Sequence, residues 1–310
     1  MGPLTGVRSL FITGAGGLVG RALLDRLDPD RFNRVSLLTR STLRLPKRIA
    51  ENGRVHQIRG SLDRPERYAA ALGSTTAVLH LAARTGRASP AEYTRDNVEG
   101  TRALLEAIES EGTAGFVNVS SIAVKFPEAA YYPYADSKRV AEGLVNALGR
   151  PWVTVRPTMV LGQESPIWKK FRQIAGGVVA VLPGSPETRI QPVHVDDLAE
   201  VLLDIASNGV FERRACDLGG ADAITIGAFL RRVQRRLTGR GGIRIPVPVG
   251  FGLPLLRAFE RVSSLPLPLT EGQLSTFLYD GVVDPNPLQE RYADRLRGVE
   301  AILEALAPRG

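Results

Sequence analysis

Thr13-Gly14-Ala15-Gly16-Gly17-Leu18-Val19-Gly20 lies where one sequence pattern gives way to another. Before it, Ser9-Leu10-Phe11-Ile12-Thr13 is a short apolar run of the kind that forms a buried parallel strand. After it, apolar residues recur at helical spacing, with Leu18, Ala22, Leu23 and Leu27 on one side. Gly14, Gly17 and Gly20 fall at the junction. Glycine there permits a tight turn, lets a pyrophosphate approach the backbone and allows a helix to press close on a sheet. The N–H groups and positive dipole end of the following helix then face an anion. Glycine triplets occur in many turns. The strand before this one and the helix after it make it a dinucleotide-binding pattern, with Gly14, Gly17, Leu18, Val19 and Gly20 against the cofactor.

The 310 residues suffice for one large α/β domain or a nucleotide domain with a smaller partner. The net charge of +8 comes mostly from arginine. A basic balance suggests nucleic acid. These arginines are scattered, however, with no basic run interleaved with aromatics, so a solvated basic surface is expected and no nucleic-acid partner. Cys216 is the only cysteine, which excludes an internal disulfide and fits a cytoplasmic setting. His56, His80 and His194 lie far apart without metal-ligand spacing, so no metal is expected. No secretory leader is expected, because the strand pattern begins by Ser9. Met1-Gly2 opens a myristoylation pattern, but Gly6 stands where Ser or Thr is needed. No apolar run is long enough to span a bilayer. The apolar segment 243–256 is broken by Pro246, Pro248 and Pro254 and reads as a packed cap segment.

Strand and helix patterns alternate along the first half. Strands are expected at 9–13, 35–38, 55–59, 77–81, 116–119 and 153–156, with helices notably at 91–111 and 134–148. Apolar strands joined by helices predict a parallel sheet covered on both faces. The expected fold is α/β, a Rossmann-type doubly wound parallel sheet with a smaller, mostly helical C-terminal substrate lobe. The expected domains are 1–157 for the dinucleotide and 158–310 mainly for substrate, with segments near 193–218 returning to the first.

Tyr134-Ala135-Asp136-Ser137-Lys138 puts a phenol and an amine four residues apart, on one face of a helix. Tyr131 has Ala135 at that distance and Tyr132 has Asp136, so only Tyr134 has a lysine. A phenol with a pKa of about 10 is a poor acid–base group at neutral pH, and a nearby ammonium favours the phenolate. Surface Tyr–Lys pairs are also frequent in helices. Val119-Ser120-Ser121 closes a predicted strand, where ligands of doubly wound sheets sit. A serine there either bonds a substrate oxygen or caps a turn.

Together these residues resemble the extended short-chain dehydrogenase/reductase family, also described as the NAD-dependent epimerase/dehydratase family. The resemblance covers nearly the whole chain. Its Thr-Gly-x-x-Gly-x-x-Gly is matched by Thr13, Gly14, Gly17 and Gly20, and its Tyr-x-x-x-Lys by Tyr134 and Lys138. Further landmarks follow in order: His80-Leu81-Ala82-Ala83, Asn97-Val98-Glu99-Gly100-Thr101, Arg156-Pro157-Thr158 and Val193-His194-Val195-Asp196-Asp197-Leu198-Ala199. The resemblance implies that Tyr134 exchanges a proton with the substrate oxygen. It implies that Lys138 holds the nicotinamide ribose and lowers the tyrosine pKa, and that Ser121 polarises the substrate oxygen. Leu81, Ala82 and Ala83 would line the cofactor, Asn97 would sit behind the nicotinamide side, and Pro157 would flank its ring. A homodimer through 91–111 and 134–148 is implied as well.

Four departures stand out. Four residues after Ser121 the family has a tyrosine and then a glycine; here they are Lys125 and Phe126. In Gly60-Ser61-Leu62, Ser61 replaces an acid that meets the adenine amino group, and Asp63 is displaced by two. The second strand ends in Leu38-Thr39-Arg40-Ser41-Thr42, without the carboxylate that binds the ribose of NAD. Arg40 instead offers a planar fork of donors to a 2′-phosphate, so NADP(H) is expected ahead of NAD(H). The stretch between Ser121 and Tyr134 is short, which leaves substrate contacts to the loop after Gly162, to 182–192 and to the C-terminal helices. The leading expectation is an NADP(H)-dependent oxidoreductase acting on a ketone or secondary alcohol of a small organic molecule. The alternatives are a sugar-nucleotide epimerase or dehydratase with bound NAD, and a non-catalytic nucleotide-binding relative.

Overall fold

The computed structural model describes residues 8–127, 132–176, 179–183, 185–239, 243–247 and 278–307. Its strands, in chain order, are β1 (Ser9–Thr13), β2 (Arg34–Thr39), β3 (Val55–Arg59), β4 (Ala77–His80), β5 (Gly115–Val119) and β6 (Trp152–Pro157), then β7 (Val160–Leu161), β8 (Val179–Pro183), β9 (Arg189–Ile190), β10 (Val193–His194), β11 (Arg214–Leu218), β12 (Ile224–Thr225) and β13 (Ile243–Val247). The main helices are α1 (Leu18–Arg26), α2 (Lys47–Ala50), α3 (Ala69–Leu72), α4 (Pro90–Tyr93), α5 (Gly100–Glu111), α6 (Pro133–Asn146), α7 (Pro166–Ala175), α8 (Val195–Asn208) and α9 (Ile226–Thr238). No helix among the described residues is long and apolar enough to cross a membrane.

Seven strands form one sheet in the order β11-β6-β5-β4-β1-β2-β3, with parallel registers from β1 to β6. Bonds from Arg213 N to Trp152 O and from Thr158 N to Leu218 O run β11 parallel to β6. Strand order reverses between β1 and β4, where Thr13 is the register partner of His80. That reversal opens a crevice at the carboxyl ends of the strands. One face of the sheet buries Phe11, Val78 and Phe116 with Leu72 of α3, Leu104 and Ile108 of α5 and Val145 of α6. On the other face α1 packs on α8, and Arg26 bridges to Asp196 and Glu200. Because both faces are covered, β1 is apolar through its centre and buried at every position.

The helical pattern at 91–111 is realised as α4 and α5 joined by a π-helical stretch, Thr94–Glu99, in which Gly100 N–H reaches back five residues to Arg95 O. Such widened turns inside helices recur at functional positions.

The chain divides into two compact units. The first is Met1–Ser121, Tyr134–Pro157 and Val195–Asp217; the second is Ile122–Pro133, Thr158–His194 and Leu218–Gly310. The second unit has its own core, in which Trp168 and Phe171 of α7 meet Phe229 and Leu230 of α9, with Ile302 and Leu303. It also contains the pairs β7–β10, β9–β12 and β8–β13. Of the apolar segment 243–256, residues 243–247 form β13, and 248–256 lie outside the described residues.

Candidate active site

The glycine turn is shaped by what surrounds it. Gly14 has φ +75°, and a Cβ there would lie 2.5 Å from Ala82 N, so the turn is pressed against the chain leaving β4. A Cβ on Gly20 would lie 2.4 Å from Gly14 O, which is why the helix can start so close to the strand. Gly17 differs: it is exposed, and its Cβ would meet only Gly14 O, at 3.3 Å. Its smallness leaves open the approach to the backbone rather than relieving a clash. Gly17 N-caps α1 without a side-chain acceptor, and the first turn, with half-buried Leu18 and Val19, holds no acid. The positive end of α1 therefore stays uncompensated by the protein, which fits a pyrophosphate.

At the end of β2 the Thr39 hydroxyl is buried and has no hydrogen-bond partner among the described residues. Arg40, next to it, is exposed and forms no ion pair there. Thr39 is the register partner of Arg59, so a second guanidinium ends the adjacent strand. The Ser61 hydroxyl donates to the Asp63 carboxylate. The displaced acid is thus brought to the serine in space, and Ser61 keeps its lone pairs for an incoming donor. Leu62 O accepts from Tyr68, which holds this turn on the sheet core. Leu81, Ala82 and Ala83 are half-buried at the end of β4, and Pro157 is buried at the end of β6.

Ser121 and Tyr134 are hydrogen-bonded through their side chains. Tyr93 of α4 packs edge-on against the Tyr134 ring, with centroids 6.0 Å apart. Lys138, one turn along α6, is 2% exposed and donates from Nζ to Val119 O at 2.8 Å. Burial pulls Lys138 down to about 8, opposed by the Glu142 carboxylate. Glu142 in turn receives two bonds from Arg156 Nε and one from Nη2, and Asp217 lies 3.9 Å from Nη1. The expectation that Lys138 lowers the Tyr134 pKa is corrected for the net shift. Burial pushes Tyr134 up to about 12, with Tyr93 adding to the rise, and the opposing influence is the Ser121 hydrogen bond.

Lys125 and Phe126, which depart from the family pattern, have partners of their own: Lys125 pairs with Asp284, and Phe126 packs on Tyr279 at 5.6 Å. Tyr132 is described; Tyr131 lies outside the described residues. No group of histidine, cysteine or acidic side chains among the described residues could hold a metal ion.

Asn97 sits in the π-helical stretch, 1% exposed. Its Oδ1 accepts from Arg84 N at 2.5 Å; its Nδ2 donates to Arg84 O at 3.1 Å and to Ser137 Oγ at 2.9 Å. Ser137 Oγ donates to Tyr134 O at 2.7 Å. His80, a landmark without an assigned role in the sequence, is buried beside it: Nδ1 lies 2.7 Å from Thr13 Oγ1 and Nε2 3.0 Å from Thr101 Oγ1. Sequence reasoning assigned no role to Tyr93, Ser137 or Glu142, and quoted Arg156 only as a landmark. For Glu142 the signal was available, because it continues the helical face of Tyr134 and Lys138 at the same spacing.

Burial, with the Lys138 charge adding, holds the His80 pKa down at about 3. An unfolded histidine binds its proton near 6.5. Between these values the unfolded state binds more protons at this group, so the contribution of His80 to stability is full above about pH 6.5 and is lost as pH falls toward about 3. Urea midpoints are therefore expected to drop from about pH 7 to about pH 4, and to drop less in His80→Asn. Equal pH slopes in the two proteins would show that His80 is not held neutral.

A sequence model of the NAD dependent epimerase/dehydratase family matches residues 10–215. The chain is 32% identical over 200 residues to 3 beta-hydroxysteroid dehydrogenase type 7 of Homo sapiens, covering 54% of this chain and 53% of that protein. It is 30% identical over 195 residues to 4-hydroxy-2-methyl-3-oxo-4-farnesyl-3,4-dihydroquinoline-1-oxide ketoreductase of Stigmatella aurantiaca, covering 54% and 58%. The matched region thus spans little more than half the length of these relatives. Among solved structures, that of gox2253 superposes with a TM-score of 0.70 at 24% identity, over 96% of this chain and 97% of the other, a likeness of fold.

Proposed function

The chain belongs to the NAD dependent epimerase/dehydratase family, and from that premise we propose that it is an NADP(H)-dependent oxidoreductase of ketones or secondary alcohols. The nicotinamide supplies or accepts the hydride when bound. The observation that carries the reading is the Ser121–Tyr134 hydrogen bond with Lys138 buried one turn along α6. In the reducing direction the Tyr134 hydroxyl gives its proton to the carbonyl oxygen, and Ser121 donates a hydrogen bond to the same oxygen. Burial keeps the phenol protonated, as a proton donor must be. Lys138 holds the nicotinamide ribose, and Asn97 steadies the helix behind it. Gly14, Gly17, Leu18, Val19 and Gly20 take the pyrophosphate; Ser61 and Leu62 meet the adenine; Leu81, Ala82, Ala83 and Pro157 line the rest of the cofactor.

Arg40 supports the phosphorylated cofactor, since its guanidinium is exposed, without an ion pair among the described residues, at the strand end where NAD-binding relatives carry an acid. We assign cofactor binding to 1–157 and substrate selection mainly to 158–310, with segments near 193–218 returning to the first. A homodimer through α5 and α6 belongs to the same proposal; Val140 of α6 is a large apolar side chain left 50% exposed.

Net redox chemistry consumes cofactor in proportion to product, whereas an epimerase regenerates it within each turnover. The test screens carbonyl compounds with NADPH and sugar nucleotides with NAD, following nicotinamide absorbance and product together. NADPH consumption matched by alcohol formation is expected. Turnover of a sugar nucleotide without nicotinamide consumption would establish the epimerase reading instead.

A further inference from the structure

Three polar side chains at the reversal of strand order take no part in the chemistry above, and their protons can be placed by elimination. Thr101 Oγ1 has one hydrogen and lies 2.7 Å from Asn97 O, a carbonyl that can only accept. Its hydrogen is therefore spent there, and toward His80 Nε2 it accepts, so Nε2 carries the ring proton. In the neutral ring Nδ1 then accepts, and Thr13 Oγ1 donates to it. Thr13 Oγ1 also accepts from Ala82 N at 3.2 Å. Every bond in this row has one direction, from Ala82 N–H through Thr13, His80 and Thr101 to Asn97 O. All three side chains are buried, at 0%, 1% and 1% exposure.

The two ends of the row are separate parts of the site. One is the junction at which the glycine turn meets the chain leaving β4. The other is the π-helical stretch, whose Asn97 continues through Ser137 Oγ to Tyr134 O on α6. We propose that His80 is a positioning residue, held as its Nε2–H tautomer, that keeps the glycine turn in register with Asn97 and thereby with Tyr134. The groups facing it fit a neutral ring. Phe116 stacks on it at 5.8 Å, Asn118 is its register neighbour on β5, and Lys138 contributes a positive charge that disfavours a second proton. The inference rests on the cofactor reading, because it makes cofactor binding at the glycine turn felt at α6.

The two ring nitrogens can be replaced one at a time. His80→Asn keeps an acceptor where Nδ1 was and loses the link to Thr101. His80→Gln keeps a donor where Nε2 was and loses the link to Thr13. Thr101→Val removes the second link without touching His80, and Thr101→Ser restores the hydroxyl. The readouts are NADPH affinity by fluorescence titration and hydrogen exchange of peptides covering 14–20 and 94–101, with and without NADPH.

In wild type, NADPH is expected to slow exchange in both peptides. His80→Gln is expected to weaken NADPH by about tenfold, the scale of one hydrogen bond, and to loosen 14–20 in the free protein. His80→Asn and Thr101→Val are expected to bind NADPH within about threefold of wild type. In both, 94–101 exchanges faster and NADPH protects 14–20 only, and Thr101→Ser restores protection of 94–101. If NADPH still protects 94–101 fully in His80→Asn and Thr101→Val, or all variants loosen uniformly, the inference is overturned. A wild-type protein that binds no nicotinamide nucleotide would end the cofactor reading. Exchange in the free variants would then still judge the linkage, confined loosening supporting it and uniform loosening refuting it.

Discussion

Replacing Tyr134 by phenylalanine is expected to lower turnover by ~10²–10⁴, the range for loss of a positioned proton transfer. Phenylalanine keeps the ring, so the edge contact with Tyr93 and the fit of α6 are preserved. Only the oxygen that meets Ser121 is lost. NADPH affinity should change little, because Lys138 and its bond to Val119 O remain. The measurement pairs steady-state turnover on whichever carbonyl compound the screen identifies with a direct NADPH titration. Near wild-type turnover in Tyr134→Phe would remove the residue from the chemistry and shift the role to Tyr131 or Tyr132.

Arg40→Asp carries the second large effect. A charge-assisted contact is worth roughly 1.5–3 kcal/mol, or about tenfold to more than a hundredfold in affinity. The substitution removes the fork of donors and places a carboxylate where a 2′-phosphate would lie, so repulsion adds to the loss. NADPH should weaken by at least that factor, while NADH is spared or bound better through its ribose hydroxyl. Competitive titration of both nucleotides on wild type and variant checks this. A wild-type preference for NADH would overturn the assignment and strengthen the epimerase reading.

Two kinds of departure from the sequence reading have different physical origins. Ser61 and Asp63 looked like a replacement and a displaced acid; a tight turn joins their side chains. That follows from local chain geometry, which linear spacing does not encode. The tyrosine pKa is another matter. The Tyr134–Lys138 spacing is helical and was legible as such, but the sign of the net shift depends on desolvation. Burial outweighs the neighbouring groups and pushes Tyr134 up to about 12.

The order of apolar runs and glycines was enough to establish the parallel sheet, the turn at Gly14–Gly20 and the placing of Tyr134 and Lys138 one turn apart on a helix, because these follow from periods of a few residues and from backbone sterics. The extended runs 35–38, 77–81 and 116–119 are strands within a residue or two at either end. The π-helical stretch, the bond between Ser121 and Tyr134 and the buried row from Thr13 through His80 to Thr101 depend on contacts between segments far apart in the chain. His80 shows the difference most directly. As one residue in His-Leu-Ala-Ala it has no evident role; set opposite Thr13 across β1 and β4 and capped by Thr101 from α5, both its nitrogens are committed and its tautomer is determined.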